Sequence, residues 1–367
     1  MNLSSILLNK KLDNLNLDDP FKMESKDKEV FLLDFFNDLS LFHAKNCEGH
    51  GNFLKVFSSK NTNWNSIQEI PAMPVRLFKM HDLFSVDRKA IVKTLTSSGT
   101  SGQSVSKIYL DADTAKRQAR ILASITKNFI GTSRIPMVIV DSVELFKDSS
   151  KLNARTAGIL GYSIFGRNHF YCLDKDLNVL VEELNIYLDK YNKGPILIFG
   201  FTFVIWKSLI QYTVNNNIKL NFGNQSILIH GGGWKKLIEQ QVDNSIYKKL
   251  LTDNLGIQNI YNYYGMVEQV GSVFMECKNG YLHSPDYADV IIRNTRSFDV
   301  CKKGEEGVVQ VLSILPVSYP GYSLLTEDLG IIHGEDDCLC GRKGKYFTIS
   351  GRIPMAELRG CSDTRSV

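Results

Sequence analysis

The sequence predicts an α/β fold built on a largely parallel sheet, and three observations carry that prediction. Short apolar, β-branched runs recur in the middle of the chain: "PMVIVDS", "PILIFGF", "SILIHGGG" and "IQNIYNYYG". Helix-period stretches at 112–130, 177–192, 203–216 and 235–254 flank and separate them. Beyond residue 300 the texture turns to strand and turn, as in "EEGVVQVLSILPVSYPGYSLLTEDLG". Strands alternating with helices fold as mainly parallel sheets with helices on their faces. Such sheets carry their sites in loops beyond the carboxyl ends of the strands.

In chain order, residues 1–90 read as a mainly helical segment packed on the core. Within "KEVFLLDFFNDLSLFHAKNC", Phe31, Phe35, Leu39 and Phe42 recur at helical spacing and give one apolar face. Pro71 and Pro74 then force an extended entry. Residues 91–333 form the α/β core, which opens with two strand-like runs, "AIVKTL" and "KIYLD". Residues 334–367 are expected as a β/turn segment and a short mobile tail carrying Cys361. The run "PILIFGFTFVIW" (195–206) reads as a buried core strand or as the lining of an acyl-chain pocket. Gly200 inside it suggests a ligand passing close to the backbone.

Composition removes several function classes. Lys+Arg at 43 against Asp+Glu at 39 leaves +4, too small and too dispersed for a nucleic-acid or membrane-surface partner. No apolar run reaches the roughly 18–20 residues of a membrane span. The opening "MNLSSILLNKK" lacks the layout of a signal peptide. Seven cysteines, unevenly spread, suit reduced thiols in a cytoplasmic protein better than a disulfide framework.

Chemistry concentrates in the loop "TSSGTSG": Thr96, Ser97, Ser98, Gly99, Thr100, Ser101 and Gly102, with Lys107 following. Glycines let backbone amides turn toward an anion, and hydroxyls add donors, so the loop suits phosphates. It is not a P-loop, because no Gly-Lys-Ser/Thr follows at the required spacing. A flexible Ser/Gly linker is the plainer alternative. Further segments favour the phosphate reading. "HGGGW" ends a strand in Gly231, Gly232 and Gly233, which permits close approach of a flat ligand. "YGMVEQ" places Tyr264 and Gly265 ahead of Glu268; "TEDLG" places Asp328 after an apolar run; "ISGRI" puts Arg352 in a turn. An aromatic for a base, glycines beside it, a carboxylate for a ribose diol and another for Mg²⁺ together make an ATP site.

In this order the motifs resemble the adenylate-forming superfamily of acyl-CoA synthetases and luciferases, over about residues 75–361. A closer resemblance is to the long-chain-fatty-acid–protein ligases, the acyl-protein synthetases of bacterial fatty-acid reductase systems. The stretch "PVRLFKMHDLFSVDRKAIVKTLTSSGTSGQSVSKIYLD" and the ending "ELRGCSD" carry it. The resemblance implies an adenylate-forming-type large domain with mixed and parallel sheets covered by helices, and a β-rich C-terminal part. It implies ATP- and Mg²⁺-dependent activation of a fatty acid or other carboxylic acid as acyl-AMP. The acyl group then passes to a protein thiol and on to an acyl reductase or acceptor protein. By motif position Glu268 holds Mg²⁺, Asp328 the ribose, Tyr264 the adenine, and Arg352 the ribose or phosphate. The superfamily's loop lysine would fall on Val105, and Lys107 is displaced from it. Only fifteen residues follow Arg352, so the superfamily's mobile C-terminal ligase domain and its lysine are expected to be absent.

Cys361 stands nine positions after Arg352, within about 30 Å of extended chain. A thiolate is a good nucleophile for an acyl phosphate, and the family's acceptor cysteine lies near its C-terminus; the plain alternative is an exposed thiol on a frayed tail. Cys277 and His283 in "CKNGYLH", with Cys338 and Cys340 in "CLC", offer three thiolates and an imidazole for tetrahedral structural Zn²⁺. The alternative is four unrelated residues, with Cys301 and His333 as equally loose neighbours. His230, beside the glycine turn, is the one isolated histidine of interest. Two other functions fit the same motifs: an aryl- or acyl-CoA or carrier-protein ligase, and a non-catalytic nucleotide-binding subunit of a reductase complex.

Overall fold

The computed structural model describes residues 3–58, 62–97, 105–146, 154–269 and 271–353. The chain divides into two compact units. The first comprises Met1–Asn128, Gly265–Phe274 and Tyr281–Val367, and the second Phe129–Tyr264 and Met275–Gly280. The α/β class expected from the sequence is what the strands and helices form.

The second unit holds the parallel strands. In spatial order they are Gly166–Leu173, Ile135–Ser142, Leu197–Phe201, Ile227–Gly231 and Asn259–Tyr264. The order reverses between Ile135–Ser142 and Leu197–Phe201, the kind of switch point at which parallel sheets open a crevice. Leu197–Phe201 is buried at every position, which is why its sequence runs apolar without alternation. Gly200 does not mark a ligand: an added Cβ would stand 2.9 Å from Val140 Cβ and 3.0 Å from Ile205 Cγ1, so core side chains fill the space. The expected helix at 177–192 forms over Val181–Tyr191. The one at 203–216 spans Thr202–Asn215 and loosens to π geometry over Trp206–Ile210. The expected single helix at 235–254 is instead two pieces, a 3₁₀ turn Lys235–Gln240 and an α-helix Asn244–Leu255. Asp243, extended at φ −60° and ψ 150°, interrupts it in the cap position that Asp favours.

The first unit is antiparallel. Its strands run in the order Ala288–Arg293, Glu306–Ser313, Ser323–Glu335, Lys345–Arg352 and Leu282–His283. Met73–Pro74 adds in parallel to Ser323–Glu335, the extended entry that Pro71 and Pro74 predict. Ile91–Thr96 and Lys107–Asp111 form a separate antiparallel ribbon. Helix Ser25–Asn46 buries Leu32, Phe35, Phe36, Leu39, Phe42 and His43, whereas Phe31 is only half-buried, so the apolar face is rotated from the expected one. Full burial of side chains such as Phe36 contributes about 1.5–3 kcal/mol each. That face covers Tyr322: Phe36 lies 6.2 Å from its ring, and His43 stacks on it at 5.6 Å and 8°.

Candidate functional site

The ribbon of the first unit ends where the hydroxyl-rich loop begins. Thr96 pairs with Lys107 as the last rung. Ser97 adds another, its N–H donating to Ser106 O (3.1 Å) and its Oγ accepting from the Ser106 N–H (2.9 Å). Ser98, Gly99, Thr100, Ser101 and Gly102 lie outside the described residues. Lys107 is half exposed and its Nζ stands 3.7 Å from Asp82 Oδ1. That carboxylate also accepts the Tyr109 hydroxyl at 2.6 Å, which with Lys107 and Arg88 holds its pKa below the usual range.

Glu268 sits on a one-turn 3₁₀ segment, Val267–Gln269, and is only 6% exposed. Gln269 anchors the turn by donating to Val311 O and Gly321 O at 3.3 and 3.0 Å. Gly321 is required here, because an added Cβ would fall 2.8 Å from Glu268 O. Burial holds the Glu268 carboxyl above its ordinary range; the Ser106 hydroxyl and the Lys79 ammonium oppose the rise, and Asp328 adds to it. A buried carboxyl whose charge is disfavoured by burial and by a second acidic group gains from a nearby cation.

Asp328 and Arg352 face each other across neighbouring strands. Arg352 Nε lies 3.3 Å from Asp328 Oδ1, and its terminal nitrogen 3.1 Å from Glu327 Oε2. Arg76 binds the other oxygen of Glu327. The sequence reading singled out Asp328 and Arg352 and missed Glu327, Arg76, Ser106 and Lys79. Arg76 stands two residues past Pro74, and the Met73–Pro74 pairing with Leu324–Leu325 is what carries it to Glu327.

In the second unit, Gly231, Gly232 and Gly233 end a parallel strand. Gly232 and Gly233 take φ +79° and +63°, which an L side chain resists. An added Cβ at Gly231 would meet the Tyr263 ring at 2.6 Å, and one at Gly232 the Phe201 ring at 2.6 Å. Tyr264, half-buried, ends the neighbouring strand. Gly265, exposed, opens the next segment of the first unit. His230 is buried behind the turn. Thr202 Oγ1 donates to Gly231 O (3.1 Å), so His230 Nδ1–H donates to Thr202 (2.9 Å). Burial and the nearby Lys248 push its pKa down to about 3, which keeps it neutral. The aromatic groups Trp206, Trp234 and Tyr247 gather beside it.

Of the sulfur and imidazole residues in the first unit, His283, Cys338 and Cys340 converge, with ligand atoms all within 4.8 Å of one another. Cys277, fully buried, opens a turn of the second unit six residues before His283 in the chain. Their loose neighbours are engaged elsewhere: His333 Nε2 meets Thr348 Oγ1 at 2.8 Å, and Cys301 Sγ faces Glu306 O at 3.9 Å. Cys361 lies outside the described residues. Among the described residues no helix is long and apolar enough to cross a membrane.

The family described as acyl-protein synthetase, LuxE, matches residues 2–366. A long-chain-fatty-acid–luciferin-component ligase of Aliivibrio fischeri is 25% identical, over 79% of this chain and 76% of its own. Its counterpart in Vibrio harveyi is 23% identical, over 81% and 77%. Among solved structures, an open conformation of 2-hydroxyisobutyryl-CoA ligase superposes with a TM-score of 0.69 at 15% identity, over 91% of this chain and 77% of that one. At that identity the likeness speaks for the fold: the chain has the fold of adenylate-forming ligases.

Proposed function

The chain belongs to the acyl-protein synthetase (LuxE) family, and from that premise we propose that it activates a fatty acid as acyl-adenylate and transfers the acyl group to its own Cys361. The observation that carries the reading is the buried Glu268 carboxylate, whose electrostatic surroundings include Ser106 at the end of the ribbon and Asp328, the partner of Arg352. A carboxylate oxygen of the acid attacks the α-phosphorus of ATP, the bond to pyrophosphate breaks, and acyl-AMP forms. The barrier is mostly charge repulsion and positioning. Glu268 would hold Mg²⁺, which would neutralise phosphate charge. Thr96, Ser97 and the loop beyond them donate to phosphate oxygens. By the resemblance, Asp328 holds the ribose hydroxyls, while Gly231, Gly232, Gly233 and Tyr264 flank the adenine. Arg352 exchanges its carboxylate partners for ribose or phosphate.

In the second step the Cys361 thiolate attacks the acyl carbonyl carbon. The bond to AMP breaks, the thiol proton goes to solvent, and a thioester remains. A reductase or another acyl-acceptor protein in the cytoplasm then takes the acyl group.

A panel of radiolabelled carboxylic acids with ATP, Mg²⁺ and pyrophosphate tests the reading. Exchange of pyrophosphate into ATP is expected to be fastest with a fatty acid. The label should stay on the denatured chain and be lost in Cys361→Ser, with exchange retained. Exchange without a thioester on the wild type would exclude self-acylation, and label recovered on coenzyme A or a carrier protein would make it a ligase of that kind. ATP binding with no exchange for any acid would indicate a non-catalytic nucleotide-binding subunit.

A further inference from the structure

We propose that His283, Cys338 and Cys340 are ligands of a structural Zn²⁺. The inference stands apart from the adenylation chemistry and rests on how the first unit builds the turn between strands Ser323–Glu335 and Lys345–Arg352.

That turn is shaped before any metal is considered. Asp336 N–H donates to Gly344 O (3.1 Å), and Gly344 N–H donates back to the Asp336 carboxylate (2.8 Å). The same carboxylate accepts the Ser25 N–H at 3.0 and 3.1 Å, at the start of helix Ser25–Asn46. Lys343 N–H donates to Phe21 O at 2.8 Å. Inside the turn Gly341 N–H closes on Cys338 O (2.9 Å) with φ +85°, a conformation that a non-glycine residue resists. The Arg342 N–H points at the Cys340 sulfur. Backbone that presents two cysteines two residues apart, followed by a left-handed glycine with an N–H aimed at sulfur, is preorganised for thiolate ligation.

The third ligand arrives from a separate strand. His283 pairs with Tyr346 across the Leu282–His283 and Lys345–Arg352 ladder and is fully buried. Its Nε2 stands 3.3 Å from Cys340 Sγ, close enough for one ion to take both as ligands. Zinc at about 2.3 Å from sulfur and 2.0 Å from nitrogen sets S···S edges of about 3.8 Å and S···N edges of about 3.5 Å. The observed 3.3 Å, and the bound of 4.8 Å on all separations within the trio, fit that tetrahedron. Two of the ligands stand within the 336–344 turn and the third on the strand paired beside it, so the metal fastens that turn.

Metal analysis of the full chain, purified without chelator, tests this. About one equivalent of zinc per chain is expected. Replacement by Co²⁺ is expected to give the intense visible bands of tetrahedral cobalt and the near-ultraviolet thiolate charge-transfer band. Cys340→Ser and Cys338→Ser should each lose most of the metal, while Cys301→Ser should keep it. Zinc below about 0.2 equivalent in the wild type, even after incubation with excess Zn²⁺, would overturn the proposal. So would a cobalt form lacking the thiolate band, or iron in place of zinc. The wild-type measurements decide the matter even if a cysteine variant fails to fold.

Discussion

His43 and Glu268 are both titratable side chains buried in the first unit, and the fold treats them differently. Pro316 O can only accept, so His43 Nε2–H donates to it (3.1 Å), and Nδ1 accepts the Ser85 hydroxyl (2.7 Å). Both ring nitrogens are used, the ring is stacked on Tyr322, and burial keeps its pKa well below the ordinary value. Glu268 is held above its ordinary range by burial, with a second carboxylate, Asp328, near it. A completed polar set rigidifies the core and has nothing to offer a ligand. A buried carboxylate beside another gains from an incoming cation. Under the proposed function, the contrast separates structural from functional polarity within one unit.

The strongest way to break the contrast is Glu268→Gln. Pyrophosphate exchange should fall by about 10²–10³-fold, the scale of losing one electrostatic contact to the transition state. The melting temperature should hold or rise, since the amide removes a buried charge. The converse variant is His43→Ala. It should lower stability by about 2–4 kcal/mol, read from the urea midpoint, through lost packing and unpaired partners. Exchange per folded molecule should stay within about twofold of wild type.

Acid should unsettle the histidines before it reaches the carboxylates. His50, by burial, titrates at about 4, and His230 at about 3, against 6.5 in the unfolded chain. Below pH 6.5 the unfolded state therefore binds more protons. Stability is complete above that pH and declines as pH falls through 6.5 toward 4. At pH 5 the loss should be on the order of 1–2 kcal/mol for each of these two histidines, seen as a lower urea midpoint than at pH 7.5. An unchanged midpoint over that window would mean the rings are not buried and neutral. The smallest effect belongs to Arg352→Gln, whose partly exposed pairs with Asp328 and Glu327 are worth at most about 1 kcal/mol to the fold. Its exchange rate should still drop about tenfold, the cost of one charge-assisted contact.

The sequence made the parallel strands legible where burial on both faces removes alternation, as in Leu197–Phe201. It concealed Gly166–Leu173, an end strand whose Arg167, Asn168 and His169 are exposed, so no apolar run marks it. The break before Asn244 was visible only as a cluster of cap-forming residues inside a helical pattern. Of the candidate site residues, Glu268, Asp328 and Arg352 stood out in the sequence because each lies in a short motif. Arg76 and Glu327, 251 positions apart, were not, because only the parallel pairing of Met73–Pro74 brings them together. Ser106 was hidden for a similar reason: its role beside Glu268 depends on the register of the ribbon and the placing of a distant turn.

The most direct test of acid activation at the Glu268 site is fatty-acid-dependent pyrophosphate exchange, measured side by side in wild type and Glu268→Gln at saturating Mg²⁺. Exchange is expected in the wild type, with a fall of about 10²–10³-fold in the variant and its melting temperature preserved. Undiminished exchange in a folded Glu268→Gln protein would contradict it.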